Sequence, residues 1–263
     1  MSEPLLRLED VSQACFLNRK KTEAQIALEH VSLSIEEGEF VSLIGPSGCG
    51  KTVTLSLMAG FATPTMGSVT FKGEPVRAPG PERGVVFQDY SLLPWLSVKQ
   101  NVVFALKNAA KARKQPWDKE RGSKIAEQSL AQVGLLEAKA KRPNTLSGGQ
   151  RQRVAIARLI AMDSEVFLMD EPFSALDEQT RLSLDESLFN LWRTEGKTII
   201  FVTHSISEAV RISSRIVLFS QAPGTILHEW IVPEDMDRNP ESPDSRQLSH
   251  EIRELMPAGP PPF

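Results

Sequence analysis

Apolar and polar positions change rhythm several times along the chain, and each rhythm predicts a different element. Val31, Leu33 and Ile35 alternate with Ser32 and Ser34, and Val69 and Phe71 alternate with Ser68 and Thr70. A period of two is that of half-buried strands, so this part of the chain predicts antiparallel β-structure. The run EFVSLI (39–44) is mostly apolar and ends in a glycine-rich turn, as suits a buried parallel strand. VFLMD from Val166, TIIFVT from Thr198 and RIVLF from Arg215 repeat that pattern, each separated from the next by room for a helix. Such alternation predicts an α/β sheet built by crossover connections.

Between Gln88 and Met162 the strand signal is scarce. SKIAEQSLAQVGLLEA, from Ser123, carries Ile125, Leu130, Val133 and Leu136 near helical spacing, which predicts a helix along this run inside an inserted helical subdomain, residues 89–163. From Val232 the chain is acidic and proline-rich (VPEDMDRNPESPDS), then has room for one helix before PAGPPPF. That composition predicts a tail that wraps the surface or is disordered.

Composition narrows the classes. A chain of 263 residues that is 41% hydrophobic and 24% charged has the core-forming capacity of a globular protein. A net charge of −3 argues against a nucleic-acid partner. Basic residues gather between Lys107 and Lys124, but Asp118 and Glu120 lie among them, so they read as a solvated helical face. Cys15 and Cys49 are the only cysteines, too few for a disulfide framework or a thiolate metal site, which fits a reducing compartment. No apolar run approaches the roughly 20 residues of a membrane span, and MSEPLLRLED has neither the basic start nor the apolar core of a leader. Any work at a membrane would need a partner to hold the chain there.

Candidate chemistry begins at GPSGCGKT: Gly45, Pro46, Ser47, Gly48, Cys49, Gly50, Lys51 and Thr52. The spacing is that of a phosphate cradle, with a strand before it and TVTLSLMAGF after it as a helix. Glycines let the backbone amides turn inward at phosphate oxygens, and the helix start adds unpaired N–H groups and the positive dipole end. Lys51 then reaches the β and γ phosphates, and the Thr52 hydroxyl ligates Mg²⁺. Cys49 reads as inert packing. Val53 offers no hydroxyl to the α-phosphate, although its amide can donate, so it predicts a modest cost in affinity. A second candidate is VFLMDE, where Asp170 and Glu171 stand at the carboxyl end of a buried strand. Asp170 would hold Mg²⁺ and Glu171 would orient the attacking water.

TLSGGQRQRVAIAR, from Thr145 to Arg158, gives these pieces a common context, because LSGGQ resembles the signature of ABC-type ATPases. The resemblance implies a P-loop NTPase of the α/β class: an ABC cassette with an N-terminal antiparallel β subdomain, a RecA-like parallel core and an inserted helical subdomain. It implies one domain over residues 1–263, with the cassette core at 5–230 and the tail at 231–263. It implies ATP and Mg²⁺ as cofactors. Ser147, Gly148, Gly149 and Gln150 would close over the γ-phosphate held by a second subunit, so a head-to-tail homodimer is implied. Gln88 in VVFQDY resembles the glutamine that touches Mg²⁺ and the attacking water. SALD, ending at Asp177, resembles the loop crossing the dimer interface, and His204 in FVTHSISEA resembles the switch histidine at the γ-phosphate. The aromatic that stacks on adenine would be Phe16, although aligning from LEDVS places Cys15 there instead. Ser205 stands where the family often has aspartate.

PGPERGVVFQDYSLLPWLSVKQNV (79–102) and RIVLFSQAPGTI are similar to the nitrate/sulfonate/taurine group of importer ATPases. The resemblance runs from Leu5 to Met256. It implies ATP hydrolysis energising uptake of a small anionic solute through a membrane permease, with an extracytoplasmic solute-binding protein as an indirect partner. The subunit would lie peripherally on the cytoplasmic face of the inner membrane, with LLPW shaping the surface that receives the permease. The alternatives are a soluble ABC ATPase of translation or repair, which usually carries two cassettes or a long coiled-coil insert, and an exporter ATPase. The chain stops about 40 residues after RIVLF, so no added regulatory domain is expected.

Overall fold

The alternating N-terminal segments form β1 (Leu6–Phe16) and β2 (Ala24–Ile35), paired antiparallel in a computed structural model that describes residues 3–16, 24–174 and 176–256. Val31, Leu33 and Ile35 are buried while Ser32 and Ser34 are exposed, as a period of two requires. EFVSLI becomes β3 (Phe40–Ile44), buried at every position. After the glycine-rich turn come α1 (Lys51–Ala59), β4 (Met66–Phe71) and the short β5 (Glu74–Pro75). The antiparallel sheet has the order β2-β1-β4-β5. α1 ends in a Schellman-type cap at Gly60, which adopts φ 81. A Cβ there would lie 2.5 Å from the Ala78 carbonyl oxygen, so only glycine fits.

Residues Gly80–Leu188 form one compact unit, and the segments up to Pro79 and from Phe189 form another. In the former, β6 (Arg83–Val86) leads to three helices: α2 (Val98–Ala112), α3 (Lys119–Gln132) and α4 (Gly148–Ala161). Val98, Val102, Ala126, Leu130, Val154 and Ala157 meet in their shared core. Each helix starts on a side-chain cap: Ser97 with Gln100, Asp118, and Ser147 with Gln150. β7 (Val166–Asp170) pairs parallel with β6, and α5 (Glu178–Glu195) follows. The helical subdomain is as expected, but α3 stops at Gln132. Gly134 takes φ 69 and turns the chain, so Leu136 lies in a separate 3₁₀ turn and the helical spacing through it is coincidental.

The other unit is completed by β8 (Thr198–Val202), α6 (Ile206–Ile212), β9 (Arg215–Phe219), β10 (Ile226–Ile231) and α7 (Pro243–Leu255). β3 lies between β8 and β9, parallel to both, and β10 runs antiparallel along β9. Phe40 packs edge-on to Trp192, and the Trp192 indole N–H donates to the Gly38 carbonyl at 2.7 Å. Burying one such side chain contributes about 1.5–3 kcal/mol. The tail is more ordered than its composition implies: Val232 and Ile252 are buried with Ile44, Val210 and Leu218, and α7 packs on that cluster. PAGPPPF lies outside the described residues.

Candidate functional site

The cradle follows β3 directly. Gly45, Gly48 and Gly50 adopt φ 147, 79 and 95, all in the region that favours glycine. A Cβ on Gly45 would lie 2.9 Å from the Phe219 carbonyl oxygen, and one on Gly50 would lie 2.4 Å from Leu28 Cδ2. The loop thus follows a path closed to other residues. The path ends at α1, whose N-cap Gly50 supplies no side-chain cap and whose first turn has no acid, leaving a cationic helix end for an anion. Lys51 is buried, its ammonium donating to the Gly45 and Pro46 carbonyls at 2.8 and 2.9 Å, with Cys49 Sγ at 3.4 Å. These features fit a nucleotide triphosphate.

Within the loop Ser47 and Gly48 are exposed, Cys49 is buried, Thr52 is exposed and Val53 is half-buried. One wall of the loop has no sequence signal in the phosphate motif: the turn between β9 and β10. Gly224 donates to the Ala27 carbonyl at 2.9 Å and accepts from the Glu29 amide at 3.0 Å. A Cβ on Gly224 would come within 1.9 Å of the Cys49 carbonyl oxygen. In the same unit His204 is exposed just after β8. Ser205 caps α6, accepting from the Glu208 amide at 3.3 Å, and so serves the helix start that an aspartate would also serve. Cys15 is half-buried near the end of β1, whereas the side chain of Phe16 lies outside the described residues.

The second unit holds the carboxylates. β7 ends at Asp170, and Glu171 takes φ 43, a left-handed backbone that costs about 1–2 kcal/mol in a non-glycine residue. The β6–β7 register sets Val86 opposite Met169, which brings Gln88 to the same sheet end. Ser174 joins the two: its hydroxyl donates to the Glu171 carbonyl at 3.0 Å and accepts from the Gln88 amide at 3.2 Å. Residues beyond the expected set hold this turn. Tyr90 and Ser91 take φ 62 and 43, and the Arg158 guanidinium donates to both of their carbonyls at 2.8 Å. Burial draws the Arg158 pKa down from the ordinary arginine value, partly countered by Asp89. Arginine at the end of the quoted signature run was the available signal for this clamp.

Ser147 and Gln150 are engaged reciprocally at the start of α4: the Gln150 amide donates to the Ser147 hydroxyl at 3.3 Å, and the Ser147 amide to Gln150 Oε1 at 3.1 Å. A Cβ on Gly148 would lie 2.7 Å from Leu176 Cδ2, and one on Gly149 would lie 2.6 Å from Thr180 Cγ2. Gly148 therefore admits Leu176 of the SALD loop, and Gly149 admits Thr180 of α5, against the helix start, although Ala175 lies outside the described residues. Asp177 accepts from the Thr180 amide at 3.0 Å, and the Thr180 bonds hold its pKa below the usual carboxylate value. Leu92 packs on the helical core while Trp95 is 67% exposed, and Asn101 ties the Leu93–Ser97 turn by donating to three of its carbonyls. No helix among the described residues is long and apolar enough to cross a membrane.

The ABC transporter family profile matches residues 28–174. The nitrate import ATP-binding protein NrtD of Synechococcus elongatus is 43% identical over 218 residues, which cover 82% of this chain and 78% of that protein. The taurine import ATP-binding protein TauB of Chromobacterium violaceum is 48% identical over 205 residues, 78% of this chain and 76% of that protein. Among solved structures, the dimeric post-hydrolysis state of the ATP-binding cassette MJ0796 bound to ADP and Pi superposes with a TM-score of 0.75 at 32% identity, covering 87% of this chain and 99% of that one.

Proposed function

Because the chain belongs to the ABC transporter family, we propose that it is the ATP-hydrolysing subunit of an importer that takes up a small anionic solute of the nitrate, sulfonate or taurine type. It is an ABC ATPase with the α/β fold of that family. The observation that carries the importer reading is the similarity to nitrate- and taurine-import ATP-binding proteins over more than three quarters of the chain.

On this reading the Gly45–Thr52 loop and Lys51 bind the nucleotide phosphates, and the Val53 amide assists. Lys51 would exchange its two carbonyl acceptors for phosphate oxygens. Thr52, Gln88 and Asp170 would hold Mg²⁺, which when bound neutralises charge on the phosphates; such a metal needs only one or two protein carboxylates beside them. Glu171 orients and polarises the attacking water, and His204 contacts the γ-phosphoryl group. Ser147, Gly148, Gly149, Gln150 and Asp177 serve the interface with a second copy of the chain, and Phe16 or Cys15 meets adenine. Catalysis is then positioning plus electrostatic stabilisation. The partners are a membrane permease, met through the surface around Trp95, and indirectly a solute-binding protein, with the subunit on the cytoplasmic face of the membrane.

Affinity purification of the tagged chain from detergent-solubilised membranes tests this. Co-recovery of a multi-span permease, with uptake of a sulfonate, taurine or nitrate lost on deleting the gene, is the expected result. Recovery of ribosomal or nucleic-acid proteins alone would overturn the transport reading. Glu171→Gln should keep ATP binding, lose turnover and accumulate a closed dimer; rapid turnover by that variant would refute the assignment of Glu171.

A further inference from the structure

α7 carries its charges on separate flanks. Asp244 and Glu251 face one side with Gln247, lining a groove with Trp230 and Met236. Arg246, Ser249 and Arg253 fall at i, i+3 and i+7, the spacing of one helix face, and line a different pocket of about 170 Å³. Ser207, Ser245 and Arg238 also line it. Among the described residues, the wall thus holds three guanidinium groups and three hydroxyls, and no carboxylate.

Arg238 is fixed in place. Its Nη1 donates to the carbonyls of Val210, Arg211 and Ser213, the last at 2.7 Å, and its guanidinium lies 5.0 Å from the centre of the Phe189 ring. Arg246 pairs with Glu241 at the rim. Arg253 has no side-chain partner among the described residues. Glu241 already balances Arg246, but Arg238 and Arg253 bring two further cations to the small recess, and guanidinium forks match planar or tetrahedral oxyanions. The Ser245 hydroxyl already donates to the Asp237 carbonyl at 2.8 Å, so Ser207 and Ser249 are the serines that can donate to the remaining oxygens.

We propose that this pocket binds a small oxyanion bearing phosphate-, sulfate- or sulfonate-like oxygens, carried free in solution or on a lipid headgroup. The bound oxyanion bridges α7 to Ser207 in the first turn of α6 and to the Arg238 loop. The site is separate from the phosphate cradle and independent of the transport reading.

The test is hydrogen exchange of the full chain, read at peptides covering α7, with excess Mg·ADP present to fill the cradle. Inorganic phosphate, sulfate and methanesulfonate are compared with chloride at equal ionic strength, and phosphatidic acid vesicles with phosphatidylcholine vesicles. We expect saturable slowing of exchange in α7 with an oxyanion, and an affinity about tenfold lower for each arginine removed in Arg246→Ala and Arg253→Ala. Ser249→Asp, which keeps both arginines and adds a carboxylate to the wall, should also abolish the effect. Slowing by the free anions identifies a soluble ligand, and slowing by phosphatidic acid vesicles alone identifies a headgroup. No slowing by any oxyanion, equal slowing by chloride, or slowing that survives Ser249→Asp and the double arginine variant would overturn the proposal.

Discussion

Replacing Arg158 with alanine should loosen the turn that carries Gln88. Two bonds of 2.8 Å from a guanidinium to the Tyr90 and Ser91 carbonyls hold two consecutive residues at φ 62 and 43. Bonds from a charged donor are each worth about 1.5–3 kcal/mol, so losing both costs about 3–6 kcal/mol. Relaxation of two left-handed residues, at about 1–2 kcal/mol each, returns about 2–4 kcal/mol, which leaves a net loss of about 1–2 kcal/mol. Urea unfolding reads that loss directly. Steady-state ATPase should show a lower kcat with little change in nucleotide affinity, since the clamp acts on the Gln88 turn and leaves the phosphate loop intact. Arg158→Lys keeps a cation but not the fork, so it should fall between the two. A variant within about 0.5 kcal/mol of the parent, with unchanged turnover, would refute the clamp.

Three other outcomes follow from the same geometry. Gly224→Ala forces a Cβ to within 1.9 Å of the Cys49 carbonyl oxygen, so ATP-analogue titration should show at least about a tenfold loss of affinity; an unchanged affinity would sink the idea that this turn supports the cradle. Val53→Ser adds a donor beside the phosphates and should tighten nucleotide binding by about 0.5–1.5 kcal/mol, read by calorimetry, with no gain counting against a phosphate contact there. His30, bonded to Asp10 at 2.7 Å, has its pKa raised first by that hydrogen bond and then by the Asp10 charge. Its contribution is fully present below the unfolded-state value near 6.5 and is lost as pH rises through the higher folded value. Stability measured across that window should therefore decline, and Asp10→Asn should flatten the decline.

The parallel strands were readable because full burial on both faces leaves unbroken apolar runs such as VFLMD and TIIFV, and a glycine or acid at the carboxyl end then marks where a ligand can sit. The serine alternation around Val31 and Val69 was readable for the opposite reason, one face being wet. β10 was missed, since ILHEWI is mostly exposed along an edge and has no simple period. α3 was overextended because periodicity cannot show that Gly134 has left the helix. The tail left room for one helix, which is α7, but its charge hid how that helix is anchored, through a few buried positions such as Ser245 and Ile252. The phosphate loop, Asp170, Glu171 and the start of α4 are local patterns and were legible. Arg158, Ser174 and Gly224 act on residues distant in sequence, and only the folded chain brings them to their targets.

The left-handed backbone at Glu171 sets fold against chemistry at a single position. Glycine would occupy φ 43 without the penalty that a Cβ incurs, so Glu171→Gly relieves strain at the same residue where it removes the carboxylate assigned to water activation. A population of this gene evolved for thermal robustness alone, with no demand for turnover, should therefore drift toward glycine or asparagine at this codon. Retention of glutamate under selection for growth would measure how much stability the cell forgoes to keep the enzyme working.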